Sequence, residues 1–340
     1  LTGTLLGGVL AVLHAAPALV TVTVLILAIA GYVTSLSIPS TRSSAPHLEI
    51  KYDLIGETKK IIRETMQKRE LSFAILGISW FWLIGATYLS QFPTYTKVVL
   101  GASSSVVTLF LTFFTLGIGL GSLMCNRLLK GRIHATYVPL AALAMTVFAI
   151  DLVLASGHVV SKSGHLQTMG EFLSHLQNWH VLFDLLFLSM CGGIYVVPLY
   201  AILQSESEPA YRSRVIACNN IMNALFMVIA ALVTSIMLFL HFSVTHVFIL
   251  VALANVIVAI YICNLLPDEL VKSFLIWLFK SLYRVEVRGL ENYYHAGDRV
   301  LIVANHPSFL DAALIAAFIP DKLTFAVDHQ VAKKSWVKIF

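Results

Sequence analysis

Charged residues are scarce in this chain of 340 residues, where Asp, Glu, Lys and Arg together make up 12%. Because a water-soluble domain carries about 25%, the composition excludes a soluble globule and a disordered chain. Cysteine is scarce as well. The four cysteines have no CxxC spacing and lie in or at the end of apolar runs, which favours buried thiols over disulfides or metal ligands. The only acids inside the long apolar runs are Asp151 and Asp184.

Long apolar runs dominate the chain. Hydrophobic residues make up 58% of it, and the mean hydropathy is +0.83. A helix needs about 20 apolar residues to cross a bilayer, so the short run over residues 1–13 is interpreted as the end of a span. The other runs predict seven full spans. These cover residues 17–38, 71–92, 99–124, 136–156, 179–203, 215–240 and 243–265.

Basic residues in the connecting loops predict the orientation. One set of alternate loops holds twelve Lys and Arg residues, whereas the opposite loops hold only Lys97 and Lys162. Since basic loops stay in the cytoplasm, loop 39–70 and the chain after residue 265 are predicted to be cytoplasmic. Apolar residues at near-helical spacing within loop 39–70 predict an amphipathic helix along the headgroups. The basic residues follow membrane sidedness and form no separate patch, so no nucleic-acid partner is expected.

The pattern changes after residue 266. Residues 269–283 are apolar but interrupted by two lysines, which predicts an interfacial helix. Val285 and Val287 alternate with charged residues, the run Val300–Ala304 is typical of a buried strand, and a helical pattern follows over residues 310–318. Strand, loop and helix in this order predict the start of a cytoplasmic α/β domain.

The junction between that strand and helix carries the sharpest chemical motif, Asn305-His306-Pro307-Ser308-Phe309-Leu310-Asp311. A turn here can bring the Asp311 carboxylate onto one imidazole nitrogen of His306. The other nitrogen can then take a proton from an alcohol. Asn305, Pro307 and Ser308 would support this turn. A helix-capping turn without catalytic function is the alternative interpretation of the spacing alone.

The stretches YRVEVRGLEN and RVLIVANHPSFLDAALIA resemble the first block of the glycerolipid acyltransferase family, which includes the lysophosphatidic acid (1-acylglycerol-3-phosphate type) acyltransferases. The resemblance implies that His306 is the general base on a glycerol hydroxyl and that Asp311 orients it. The acyl donor would be a thioester on acyl carrier protein or coenzyme A, and no bound cofactor is implied. The family's later blocks would lie beyond Phe340, so we expect this chain to be an inactive fragment.

The membrane part resembles the lysophospholipid transporters of the major facilitator superfamily. The resemblance lies in GGIYVVPLYAILQ, RSRVIACNNIMNALFMV and the basic loop GSLMCNRLLKGR. Six spans after a long cytoplasmic linker match that family's second half, which implies a mainly α, polytopic helix bundle comprising roughly spans 5–12.

Together the two resemblances imply a bacterial fusion protein in the inner membrane. Residues 1–266 would transport lysophospholipid, and residues 268–340 would begin the acyltransferase domain that re-acylates it. Two alternatives stay open: a transporter with a non-catalytic C-terminal module, and an export pump for small amphiphiles.

Four polar residues inside the spans are candidate transport residues. Asp151 and Asp184 qualify because an intramembrane carboxylate is costly without a function, although a wetted position near the helix end would also explain Asp184. Asn219 and Asn223 share one helix face, where they could meet a polar headgroup or bond to a neighbouring helix.

Two further patterns have structural interpretations. Gly117 and Gly121 have the GxxxG spacing that allows close helix packing. The histidines of the outer loop fit no metal template, so no metal site is predicted. These histidines are His158, His165, His175 and His180.

Overall fold

The structure is a computed structural model, and it is mainly α-helical. It describes residues 3, 6, 7, 10, 16–39, 53–129, 134–157, 165–283, 285–297, 300–305, 308, 310–319 and 323–326. The chain divides into two units, Leu1–Ile262 and Cys263–Phe340.

Nine helices lie in the described part of the first unit, and the last of them runs three residues past its end. They are α1 (Ala16–Ser35), α2 (Leu54–Met66), α3 (Arg69–Thr94), α4 (Ser104–Leu129), α5 (Val138–Ser156), α6 (Met169–Ser174), α7 (Leu176–Ser205), α8 (Arg212–Phe239) and α9 (Val244–Leu265). All except α2 and α6 are long and apolar enough to cross a membrane, which gives seven candidate spans among the described residues. The predicted number of spans is confirmed. Helices form here because lipid offers no partners for backbone N–H and C=O groups.

The boundary between the second and third spans differs from the prediction. A π-helical turn, Tyr95–Val99, continues α3, and α4 begins only at Ser104. The turn follows Pro93, which lacks the N–H that would continue the regular bonding pattern. The chain then reverses at Gly101, whose φ is 60°. Residues 99–103, predicted to open the third span, are therefore the end of one helix and a turn.

The bundle has α7 at its centre, in contact with α3, α4 and α5, while α8 packs on α3. The contact between α4 and α7 is very close. A Cβ atom on Gly117 would lie 1.9 Å from Ser189 Oγ, and one on Gly121 would lie 2.0 Å from the backbone oxygen of Met190. The interpretation of the GxxxG spacing as a close-packing motif is confirmed. Cys125, Cys191 and Cys218 are buried free thiols, as predicted, and Cys263 is half-buried.

The amphipathic helix predicted in loop 39–70 is present as α2. Asp53 caps it by accepting a hydrogen bond from the Gly56 N–H at 2.9 Å. Its apolar residues Ile61, Ile62 and Met66 pack against the core of the bundle. The helix contacts α8 as well as α3, so part of the linker is docked on the bundle.

The described part of the second unit holds three helices, α10 (Pro267–Leu282), α11 (Leu290–His295) and α12 (Asp311–Phe318). The helices predicted over 269–283 and 310–318 are confirmed. The strand predicted over Val300–Ala304 is not found: these residues pair with no strand in the described segments, and Leu301 and Val303 are 88% and 85% exposed. Val285 and Val287 likewise lie outside any strand. No α/β arrangement is therefore seen in the described residues of this unit.

Candidate functional site

Asp311 lies at the first position of α12, where the sequence motif meets the helix. Its Oδ2 accepts a hydrogen bond from the Ser308 N–H at 2.9 Å, and its own N–H donates to the Ser308 carbonyl at 3.2 Å. Ser308 Oγ accepts from the Leu310 N–H at 3.2 Å. The carboxylate is thus turned back onto the motif, at the helix end where a negative charge is favourable.

The remaining motif residues are only partly described. Asn305 is exposed, whereas His306 and Pro307 lie outside the described residues. The pairing of His306 with Asp311 therefore stays a prediction.

The helix that begins at Asp311 packs on α10. Phe279 of α10 meets Ala313 and Ala317 of α12 in a small apolar core. On the other side of α10, Phe274 and Trp277 are 49% and 58% exposed. One face of α10 thus supports the motif helix, and the other presents apolar side chains outward.

A second cluster forms where α5 and α7 pack together in the bundle. Asp151 of α5 and the residues His180 and Asp184 of α7 bring one ligand atom each to within 4.8 Å of one another. His180 Nε2 lies 3.0 Å from Asp151 Oδ2 and 3.5 Å from Asp184 Oδ2. The predicted candidates Asp151 and Asp184 are thus brought together.

Asp184 is 3% exposed, so the interpretation of this residue as a wetted position is wrong. It is buried because the α7 face that carries it packs within the bundle, although it lies only eight residues after the start of α7.

Sequence reasoning missed the part of His180 in this cluster. Its spacing of four residues from Asp184 places both side chains on one helix face. This spacing is the sequence signal that predicts His180 beside Asp184.

A different pair lies near the same loop. His165 Nε2 is 3.1 Å from Glu171 Oε1, and Glu171 also accepts hydrogen bonds from the Thr168 N–H and hydroxyl. These bonds lower the pKa of Glu171 to about 2. The largest effect comes from the Thr168 N–H, followed by His165 and the Thr168 hydroxyl. Glu171 forms a capping box with Thr168 at the start of α6, and the described residues bring no second carboxylate to His165.

The two predicted asparagines are both buried, but they differ in their partners. Asn223 Oδ1 accepts a hydrogen bond from Ser79 Oγ of α3 at 2.9 Å, which is the helix–helix bond named as one of the two interpretations. Asn219 Oδ1 is buried without a hydrogen-bond partner in the described part of the chain. The buried Oδ1 of Asn219 therefore has unused hydrogen-bonding capacity within the described residues.

Asn255 of α9 forms a polar junction that the sequence analysis did not single out. It accepts a hydrogen bond from Trp80 Nε1 at 2.8 Å and donates to Thr146 Oγ1 at 2.9 Å. These bonds connect α9 to α3 and α5. No sequence signal identified it, because its partners lie 175 and 109 residues away.

A cavity of about 360 Å³ lies between α2, the start of α3 and the start of α8. Its charged lining includes Lys60, Lys68 and Arg214 together with two acids. Lys68 pairs with Glu208 at 2.5 Å, and Arg214 pairs with Glu64 at 3.7 Å. The cavity lies at the end of the bundle where the basic loops are found.

These features define a polytopic α-helical membrane protein with a polar cluster inside the bundle and a separate C-terminal unit. No protein-family model matches the chain, and no solved structure matches it.

Proposed function

We propose that the helix bundle moves lysophospholipid across the bacterial inner membrane and that the C-terminal module re-acylates it on the cytoplasmic side. The observation that carries the proposal is the NHPSFLD motif, with Asp311 at the first residue of α12 and its carboxylate hydrogen-bonded back to Ser308. This geometry supports the orienting role assigned to Asp311, because the carboxylate is directed toward Ser308, which follows His306 by two residues in the sequence.

The proposed reaction is the transfer of an acyl group from a thioester to an alcohol. His306 takes the proton of the glycerol hydroxyl as its oxygen attacks the thioester carbonyl. The new C–O bond forms, the C–S bond breaks, and the leaving thiolate recovers the proton from the imidazolium. Asp311 holds the ring in one tautomer and stabilises the imidazolium. The donor would be acyl carrier protein or coenzyme A in thioester form, and no cofactor takes part.

The packing of α12 on α10 supports a reaction at the membrane surface. Phe274 and Trp277 are exposed on α10, and side chains of this kind enter the boundary between headgroups and acyl chains. Phe279 on the other side of α10 holds the motif helix. A lysophospholipid could then reach His306 without leaving the bilayer surface.

The cavity at the basic end of the bundle supports a phospholipid as the transported molecule. Lys60, Lys68 and Arg214 give it three cations against the two acids Glu64 and Glu208. A phosphate headgroup is anionic, and Arg and Lys side chains bind phosphate well. Inside the bundle, the Oδ1 of Asn219 has no partner among the described residues, so it could accept a hydrogen bond from the glycerol hydroxyl.

The test uses the intact protein that contains this chain, reconstituted in vesicles with a fluorescent lysophospholipid and an acyl thioester. We expect His306→Ala to reduce acylation by a factor of about 10² or more, since a general base contributes 10²–10⁴, while uptake of the lysolipid continues. His295→Ala is the matched control, because His295 is an exposed histidine of the same unit outside the motif. Equal acylation by His306→Ala and wild type would remove His306 from the reaction.

The alternative is a transporter with a non-catalytic C-terminal module. The lack of any strand in the described residues of the second unit favours it, because the motif would need a sheet to hold it. Uptake by the wild-type protein without any acylation would support this alternative. Export of unrelated amphiphiles in competition with the lysolipid would instead indicate a drug-type pump.

A further inference from the structure

The cluster of Asp151, His180 and Asp184 combines two kinds of metal ligand from two helices. An imidazole nitrogen and two carboxylate oxygens lie within 4.8 Å of one another. Asp151 is five residues before the end of α5, and Asp184 is eight residues after the start of α7. The cluster is therefore near the end of the bundle that carries loop 157–175.

The buried carboxylate of Asp184 is incompletely satisfied. Its Oδ2 has no hydrogen-bond donor among the described residues. His180 Nε2 can carry one hydrogen, and the shorter distance, 3.0 Å, is to Asp151. Asp184 Oδ2 is 3.5 Å from the same nitrogen. A carboxylate oxygen in this position is costly to bury unless a positive charge joins it.

The two separations from His180 Nε2 are compatible with a small divalent cation. Zn²⁺ binds His nitrogen and carboxylate oxygen at about 2.0–2.2 Å, so two neighbouring tetrahedral ligands are about 3.4 Å apart. These separations, 3.0 Å to Asp151 and 3.5 Å to Asp184, lie on either side of that value. His180 is more than half exposed, which gives the cation a path from water. Three protein ligands leave a fourth position for water.

We propose that Asp151, His180 and Asp184 form a binding site for a divalent cation of the zinc type. His180 would coordinate through Nε2 as a neutral ring with its proton on Nδ1, because a nitrogen that binds the metal cannot keep a proton. The cation would connect α5 to α7. This inference departs from the sequence-based prediction of no metal site, and it is independent of the proposed function, because none of its residues belongs to the acyltransferase motif.

The experiment is a Zn²⁺ titration of the purified full chain in detergent micelles, after removal of bound metal with a chelator. Calorimetry of the wild type is expected to show one saturable site per chain, and Co²⁺ in its place is expected to give the visible absorption of a tetrahedral complex. His180→Asn and Asp184→Asn each remove one of three ligands and should weaken Zn²⁺ binding at least about tenfold, since even indirect partners of ligands cost 10–100-fold.

The control variant is His165→Asn, which disrupts the surface pair with Glu171 near the same loop and should bind Zn²⁺ like the wild type. Thermal unfolding without metal checks that each variant is folded. If Asp184→Asn fails to fold, the exposed His180→Asn decides the question. Absence of saturable binding by the wild type, or unchanged affinity in His180→Asn, would overturn the proposal. The cluster would then be an imidazolium shared between two carboxylates.

Discussion

Single glycines determine how closely α4 and α7 approach each other. Gly121 faces the backbone oxygen of Met190, and Gly193 faces that of Ile118 at 2.6 Å from the position of a Cβ. Both obstacles are backbone atoms, which cannot rotate away as a side chain can. Gly85 of α3 is also buried, but nothing lies within 4 Å of its Cβ position. Gly121 and Gly85 are thus both helical glycines, but only Gly85 has room for a Cβ atom.

This difference predicts opposite results for the same substitution. Gly121→Ala should separate α4 from α7 and destabilise the bundle by roughly 1–3 kcal/mol, as overpacking does. Gly85→Ala should be neutral or stabilising by up to about 1 kcal/mol, because alanine favours a helix. The measurement is the unfolding temperature of each variant in the same detergent. Similar unfolding temperatures for the two variants would mean that α4 and α7 do not pack as described.

Residue spacing could predict local relations but not contacts between distant helices. The GxxxG spacing predicted the approach of α4, and the four-residue step from His180 to Asp184 was readable as one helix face. Asp151 lies beside His180 and Asp184 only because α5 packs against α7, and residue spacing within one helix does not predict that packing. For the same reason the Asn223 bond to Ser79 was one of two possible interpretations until the positions of α3 and α8 were known.

At the scale of elements, helices formed by long apolar runs were predicted well, and the strand was not. Apolar runs long enough to span define α3, α4, α5, α7, α8 and α9 without reference to neighbours, because a helix bonds its own backbone. A strand needs a partner strand. Residues 300–304 have the composition of a buried strand, yet the described residues offer no partner and Leu301 is exposed. Periodicity also could not anticipate the π-helical turn after Pro93.

The amphipathic helix α10 gives a prediction at this scale. Replacing Phe274 and Trp277 by Ser should lower acylation of membrane-bound lysophospholipid by more than about tenfold, because each apolar side chain contributes about 1.5–3 kcal/mol when buried. Soluble short-chain substrates should be acylated at the wild-type rate, since neither residue belongs to the Phe279 contact with α12.

The rescue variant keeps the apolar character of both positions. Phe274→Leu combined with Trp277→Phe should retain most of the activity on vesicles. If the Ser variant acylates membrane-bound and soluble substrates at wild-type rates, α10 does not anchor the module at the membrane. If it loses both activities equally, the helix acts through the stability of the unit instead.

At the scale of the whole molecule, the distribution of basic residues predicts which loops share a side of the membrane. Twelve Lys and Arg residues lie in one set of alternate loops and two in the other. If each of the seven candidate helices crosses the membrane once, these two sets of loops lie on opposite sides of it. The predicted orientation would place Lys97 outside the cell membrane and Glu206, between α7 and α8, in the cytoplasm.

Cysteine labelling tests this orientation. Lys97 and Glu206 are exposed, while the native cysteines are buried or half-buried and give a low background. Lys97→Cys should react with a membrane-impermeant maleimide in intact cells, and Glu206→Cys should react only after the membrane is permeabilised. Neither substitution reverses the charge bias, so the variants should insert as the wild type does. The opposite labelling pattern would place the basic loops, and with them the C-terminal unit, outside, where an acyl thioester of the cytoplasm could not reach His306. Labelling of both positions in intact cells would mean that an odd number of the helices between them fails to cross.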